Sequence, residues 1–133
     1  MPEKLSGERR AKKRWVLRSM YHIFMNLQKR KQQARKQRHR RVRAKIFGTA
    51  ERPRLCVFRS NRFIELQLIN DEKGHTLAAS RSPLKDARNG GAIIAQKAKE
   101  KHLARAVFDR GGYAYHGHVK EAVEGAREKG LVI

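Results

Sequence analysis

From position 54 onward the apolar residues follow a strand-like rhythm. Residues 54–60 hold Leu55, Cys56, Val57 and Phe58 in unbroken succession, which predicts a strand with apolar groups on both faces, suited to the centre of a sheet. After a turn at Ser60-Asn61, residues 63–70 alternate, with Ile64, Leu66 and Leu68 on one face and Glu65 and Gln67 on the other. Asn70-Asp71-Glu72-Lys73-Gly74 reads as a hairpin loop and 75–80 as a weaker third strand, completing an antiparallel meander.

The rhythm then lengthens. Ser82-Pro83 reads as a turn, and Asn89-Gly90-Gly91 precede a short helix over 92–101 with Ile94, Ala95 and Ala98 on its apolar face. Residues 103–108 predict a fourth strand, which after a helical crossover runs parallel to a neighbour. Val119, Ala122, Val123 and Ala126 make the stripe of a last helix, capped by Gly130 and followed by a short apolar tail. The expected fold is therefore α/β: a three-strand antiparallel meander, a fourth strand added through a helical crossover, and helices packed on the sheet.

Upstream the pattern is helical and basic. Leu17, Met20, Tyr21, Phe24 and Leu27 fall at helical spacing beside Trp15, Val16 and Ile23, predicting an amphipathic helix that packs on the domain or on an RNA neighbour. A mitochondrial presequence is the alternative, against which Glu3, Glu8 and the scarcity of serine count. Residues 29–45 contain no acid. Their side chains favour helix but repel one another, so this arm is expected to be disordered alone and ordered on RNA. The breaker-rich 48–53 then divides a basic arm (25–52) from a compact domain (53–133).

Charge sharpens the picture. The chain has 33 Lys and Arg against 12 Asp and Glu, a net +21 over 133 residues, and 1–54 holds 19 of those bases but only 3 of the acids. Such an excess implies a polyanionic partner, nucleic acid ahead of an anionic membrane surface. No run of eighteen apolar residues is present, and the lone Cys56 has no partner for an internal disulfide, which fits a reducing, cytosol-like compartment.

Candidate chemistry gathers at 107–120, where an apolar run breaks into Arg110, Gly111, Gly112, Tyr113, Tyr115, His116, His118 and Lys120. Adjacent glycines allow close approach of a ligand, helix amides beyond them suit a phosphate, and the tyrosines offer faces for bases. Catalysis finds less support. Gly112 to Val119 has the glycine spacing of a phosphate-cradling loop, but His118 and Val119 stand where Lys and Ser or Thr are required. Asp71 and Asp109 are the carboxylates a metal-dependent nuclease would use, yet no close acid accompanies Asp109, which reads as a partner for Arg110 or a cap for backbone amides. His116 and His118 lack companion metal ligands, and Cys56 lies within an apolar strand. No cofactor or small-molecule substrate is expected. A metal-dependent RNA-processing enzyme and a generic basic module for nucleic acid or a membrane surface are the alternatives to a non-enzymatic RNA binder.

Several blocks, in order, carry a resemblance: Arg38-His39-Arg40-Arg41-Val42-Arg43, Gly48-Thr49-Ala50-Glu51-Arg52-Pro53-Arg54-Leu55, Val57-Phe58-Arg59-Ser60-Asn61, Asp71-Glu72-Lys73-Gly74, Val107-Phe108-Asp109-Arg110-Gly111-Gly112-Tyr113 and Tyr115-His116-Gly117. From about residue 26 to the end, the chain resembles the bacterial form of large-subunit ribosomal protein eighteen, a family that binds 5S rRNA in the central protuberance. The resemblance implies a non-enzymatic protein of the cytoplasmic ribosome, in contact with 5S rRNA, 23S rRNA and the neighbouring 5S-binding ribosomal protein five, with no membrane partner. It implies that Arg38, His39, Arg40, Arg41, Arg43 and Lys45 thread RNA. Arg54, Phe58, Arg59, Ser60, Asn61 and Arg62 would form the 5S-facing sheet edge and turn, and 107–120 a second RNA surface.

The chain departs from that pattern in three places. Glu65 stands where the family often has Tyr, and His118 where Arg is common. The segment before Ile94 is short, so the first helix of the domain is expected to be truncated. Met25-Asn26-Leu27-Gln28-Lys29-Arg30-Lys31 is similar to an ordinary start of such a protein, so 1–24 is expected to be a lineage-specific extension or sequence ahead of the true initiator.

Overall fold

A computed structural model describes residues 2–133, with side chains described from Gly7 onward; Met1, part of the expected 1–24 segment, lies outside it. The elements are α1 (Pro2–Arg43), β1 (Arg54–Arg59), β2 (Phe63–Asn70), β3 (His75–Pro83), a 3-10 turn (Leu84–Asp86), α2 (Ala87–Glu100), β4 (Val107–Asp109) and α3 (His118–Glu128). They fall into two compact units, the first ending at Ala34 and the second spanning Arg35–Ile133. The expected arm, 25–52, thus contributes to both. No described helix is long and apolar enough to cross a membrane.

The first unit is α1 up to Ala34, where Trp15, Leu17, Met20, Tyr21 and Phe24 are all exposed. The basic segment expected to be disordered is helical through Arg43. Gln, Ala, Lys and Arg lose little in a helix, and the last turns, which belong to the second unit, find acceptors that offset their mutual repulsion.

In the second unit the sheet order is β3-β2-β1-β4, with β1 antiparallel to β2 and parallel to β4, as the crossover predicts. Leu55 lies opposite Leu68 and Val57 opposite Leu66. That register puts the apolar set of both strands on one face, where Leu55, Val57, Ile64, Leu66 and Leu68 form one core with Ile94, Ala95 and Ala98 of α2 and Val119, Ala122 and Ala126 of α3. Each large aliphatic side chain buried there contributes roughly 1.5–3 kcal/mol, and a one-residue slip would forfeit all of them.

Three expected boundaries move. β3 continues through Ser82-Pro83, because Ser82 is buried on the core side and Pro83 ends an edge strand, where a missing amide costs no ladder bond. The helix before β4 starts at Ala87, ahead of the expected 92, and takes Asn89-Gly90-Gly91 into its body. Those glycines are not breakers but points of close approach, since a β-carbon at Gly91 would collide with the Ala122 carbonyl of α3, and one at Gly125 with the Arg88 carbonyl of α2. Finally, β4 is only three residues long, because Ala106 donates its amide to Val132 and Arg105 bridges to the C-terminal tail instead of extending the sheet. The end of α3 follows expectation. Gly130 takes a positive φ, with its amide on the Arg127 carbonyl and that of Leu131 on Ala126.

Candidate nucleic-acid interface

Alternation along the strands puts a second set of side chains on the sheet face opposite the core. Arg54, Cys56 and Phe58 of β1 lie beside Ile69, Gln67 and Glu65 of β2, with Asp109 of β4 opposite Cys56. Here Arg54, expected at an RNA-facing edge, is buried and structural. Its Nε and Nη2 donate to Asp71 at 3.0 and 3.1 Å, and its Nη1 donates to Asp109 at 2.7 Å. Asp109, wholly buried, also accepts from His39 Nε2 and from the Gly111 amide, both at 2.9 Å. It caps an amide as read from sequence, but the guanidinium it holds is that of Arg54, not Arg110. Asp71 accepts in addition from Arg43 at 3.2 Å and from the Gly48 amide at 2.8 Å.

This network ties the end of α1 to the sheet. The hydrogen bond from Arg54 leads the causes that hold the Asp71 carboxyl down at about 2, despite burial. Burial pushes Asp109 up, but the His39 and Gly111 hydrogen bonds, with help from Arg54, leave it below the usual carboxylate range. Both carboxylates are therefore ionised, each accepting from three residues of the protein itself.

Gly111 and Gly112 do take positive φ, 64° and 78°, but both are buried. A β-carbon at Gly111 would stand 2.5 Å from the Val57 carbonyl oxygen, and one at Gly112 would collide with the Arg35 carbonyl and lie 2.8 Å from Arg35 Cγ. The Gly112 carbonyl accepts from Arg38 Nε at 3.1 Å. The close approach that glycine permits at Gly112 is to the protein's own helix end. Tyr113 is likewise committed: its hydroxyl donates to the Arg59 carbonyl at 3.0 Å and the Arg35 guanidinium stacks 4.9 Å from its ring. Ser60 shapes the turn by accepting the Arg62 and Phe63 amides. His118 is half-buried, 3.5 Å from Glu121 on its own helix, and Lys120 lies 3.9 Å from Glu124.

Other expected residues are available. Arg40, Arg41, Lys45, Arg59, Asn61, Arg62, Arg110 and His116 are exposed; Tyr115 is 38 % exposed and packs edge-on against Phe108. Phe58 is 48 % exposed, with its ring 6.4 Å from Phe63, over which the Arg81 guanidinium sits at 3.6 Å. Phe63 and Arg81 escaped the sequence reading. Phe63 shares its parity with Glu65 and Gln67, a signal for this face, whereas Arg81 joins it only because β3 runs past Ser80. Glu65, opposite Phe58, accepts from Gln67 at 3.0 Å. Arg35 and Lys36 lie at the same end of α1, beside Cys56 and Phe58.

Comparison with known proteins agrees with a chain of this build. The family model described as ribosomal L18 of archaea, bacteria, mitochondria and chloroplast matches residues 29–133. The large ribosomal subunit protein uL18 of Caldicellulosiruptor saccharolyticus is 50% identical over 107 residues, covering 71% of this chain and 86% of that protein. The uL18 of Clostridium botulinum strain Loch Maree is 54% identical over 109 residues (74% and 92%), and that of Thermotoga petrophila 50% identical over 114 (76% and 93%).

Proposed function

The chain belongs to the ribosomal L18 family, a structural protein of the large ribosomal subunit and not an enzyme, and we propose that within it the chain binds 5S rRNA and helps attach it to 23S rRNA in the central protuberance. Ribosomal protein five is its proposed protein neighbour, and the cytoplasmic ribosome its location. The observation that carries this reading is a division of labour among the basic residues. Asp71 and Asp109 engage Arg43, Arg54 and His39, while Arg40, Arg41, Lys45, Arg59 and Arg62 stay exposed, as does the aromatic Phe58. Tied cations hold the scaffold; exposed ones meet phosphates, and the aromatic face meets bases.

The test is titration of the full chain with 5S rRNA and with an unrelated RNA duplex of equal length, each over a range of salt. Tighter binding of 5S rRNA at every salt concentration is expected. Arg40→Gln with Arg41→Gln should lower the log–log salt slope by roughly 1.4–1.8, two phosphate contacts' worth. Equal affinity for the duplex would refute 5S recognition, and an unchanged slope would refute contact by these two arginines.

A further inference from the structure

Within the first unit, α1 carries an apolar stripe that nothing in that unit covers. Val16, Met20, Ile23 and Leu27 recur at spacings of four, three and four, so they share one face, with Leu17 and Phe24 beside them. All six are 47–68 % exposed. The family match begins at residue 29, so this face lies ahead of it. We propose that the stripe lies on an anionic lipid surface, its apolar side chains seated at the headgroup boundary and the neighbouring cations on lipid phosphates. The inference stands apart from the 5S reading.

Charge and apolarity together select the partner. The turns just ahead of the stripe hold Arg9, Arg10, Lys12, Lys13 and Arg14, all exposed. Helical spacing puts Arg9 and Lys13 in line with the stripe, Lys12 on one flank, and Arg10 and Arg14 on the other. No acid occurs between Glu8 and Glu51. A second copy would offer apolar area but bring like charges together, and a nucleic-acid backbone would offer phosphates but nothing apolar to bury the stripe. A headgroup plane supplies negative charge on both flanks of an apolar interior, and long Lys and Arg stems reach it from the in-line positions as well. Tyr21, exposed at the edge of the stripe, has the apolar body and polar tip that suit this boundary. No described helix is long and apolar enough to cross a membrane, so α1 would lie on the surface and not span it.

The experiment uses the full chain with vesicles of phosphatidylglycerol and phosphatidylcholine in equal parts, and with phosphatidylcholine alone, at physiological salt. The mixed vesicles should carry the chain in flotation and the neutral ones should not. Because the rest of the chain is also basic, the stripe is tested by changes that leave every charge in place. Ile23→Gln/Phe24→Gln/Leu27→Gln should weaken binding to the mixed vesicles about a hundredfold, with circular dichroism unchanged, since three large apolar side chains no longer enter the boundary. What binding remains should be abolished by high salt, as contact through cations alone is screened. Depth is read from tryptophan. The sole tryptophan, Trp15, lies off the stripe beside Arg18 and His22, so lipid brominated in its acyl chains should quench the unaltered chain weakly and the Trp15→Phe/Phe24→Trp variant strongly. Equal quenching at the two positions, a triple variant that binds as the parent does, or equal binding to neutral vesicles overturns the proposal. Absence of vesicle binding, with a photocross-link from position 24 to a protein in intact ribosomes, would overturn it in favour of an apolar protein groove.

Discussion

Asp109→Asn is the change that most directly probes how the end of α1 is held. It is isosteric and deletes one negative charge at a site with no solvent exposure, where Arg54, His39 and the Gly111 amide converge. Removing one partner of a buried ion pair typically costs about 3–5 kcal/mol, because the other charge is left uncompensated. Two N–H groups of Arg54 still reach Asp71, and the new amide oxygen can still accept from Gly111, so the low end applies, about 3 kcal/mol. For a folded unit of this size that corresponds to a fall in Tm of roughly 12–24 °C. Urea unfolding at neutral pH, followed by circular dichroism, measures the loss, and amide hydrogen exchange over 35–43 locates it. The double variant Arg54→Met/Asp109→Asn should lose less than the sum of the single changes, because the orphaned cation goes too. A loss under about 1 kcal/mol for Asp109→Asn, with wild-type exchange over 35–43, would show that the carboxylate is not what docks the helix.

Acid should loosen the same network. Asp71 titrates at about 2 in the folded protein against an ordinary 3.8, so its contribution is complete above about pH 4 and disappears as pH falls through 2. The amount is about 2 kcal/mol, and Asp71→Asn should flatten the acid limb of stability against pH; an identical limb in both proteins would refute the assignment. Gly112→Ala should speed amide exchange over 35–43 while leaving α2 and α3 protected, because the new methyl group strikes the Arg35 carbonyl. Gly74→Ala, also at positive φ but facing open space, should cost only the backbone strain of about 1–2 kcal/mol, and equal effects of the two would count against helix docking.

What could be read from the sequence was whatever depends on local period and on composition. Alternation in 63–70 placed Ile64, Leu66 and Leu68 in the core, the stripe of Val119, Ala122, Val123 and Ala126 placed α3, and the unbroken run at 55–58 marked a central strand, because each pattern encodes a face that must be buried. The charge excess pointed to a polyanion because charges add regardless of fold. The roles of Gly91, Gly111 and Gly112 were not legible in this way. A glycine that allows a turn and one that lets two backbones touch are the same letter, and only the packing of α2 on α3 and of Arg35 on the 111–112 turn tells them apart. Arg54 and Arg40 are likewise the same letter. One is buried between two aspartates 17 and 55 residues away in the chain and the other faces solvent, a difference set by which strands pair and therefore decided by the tertiary structure alone.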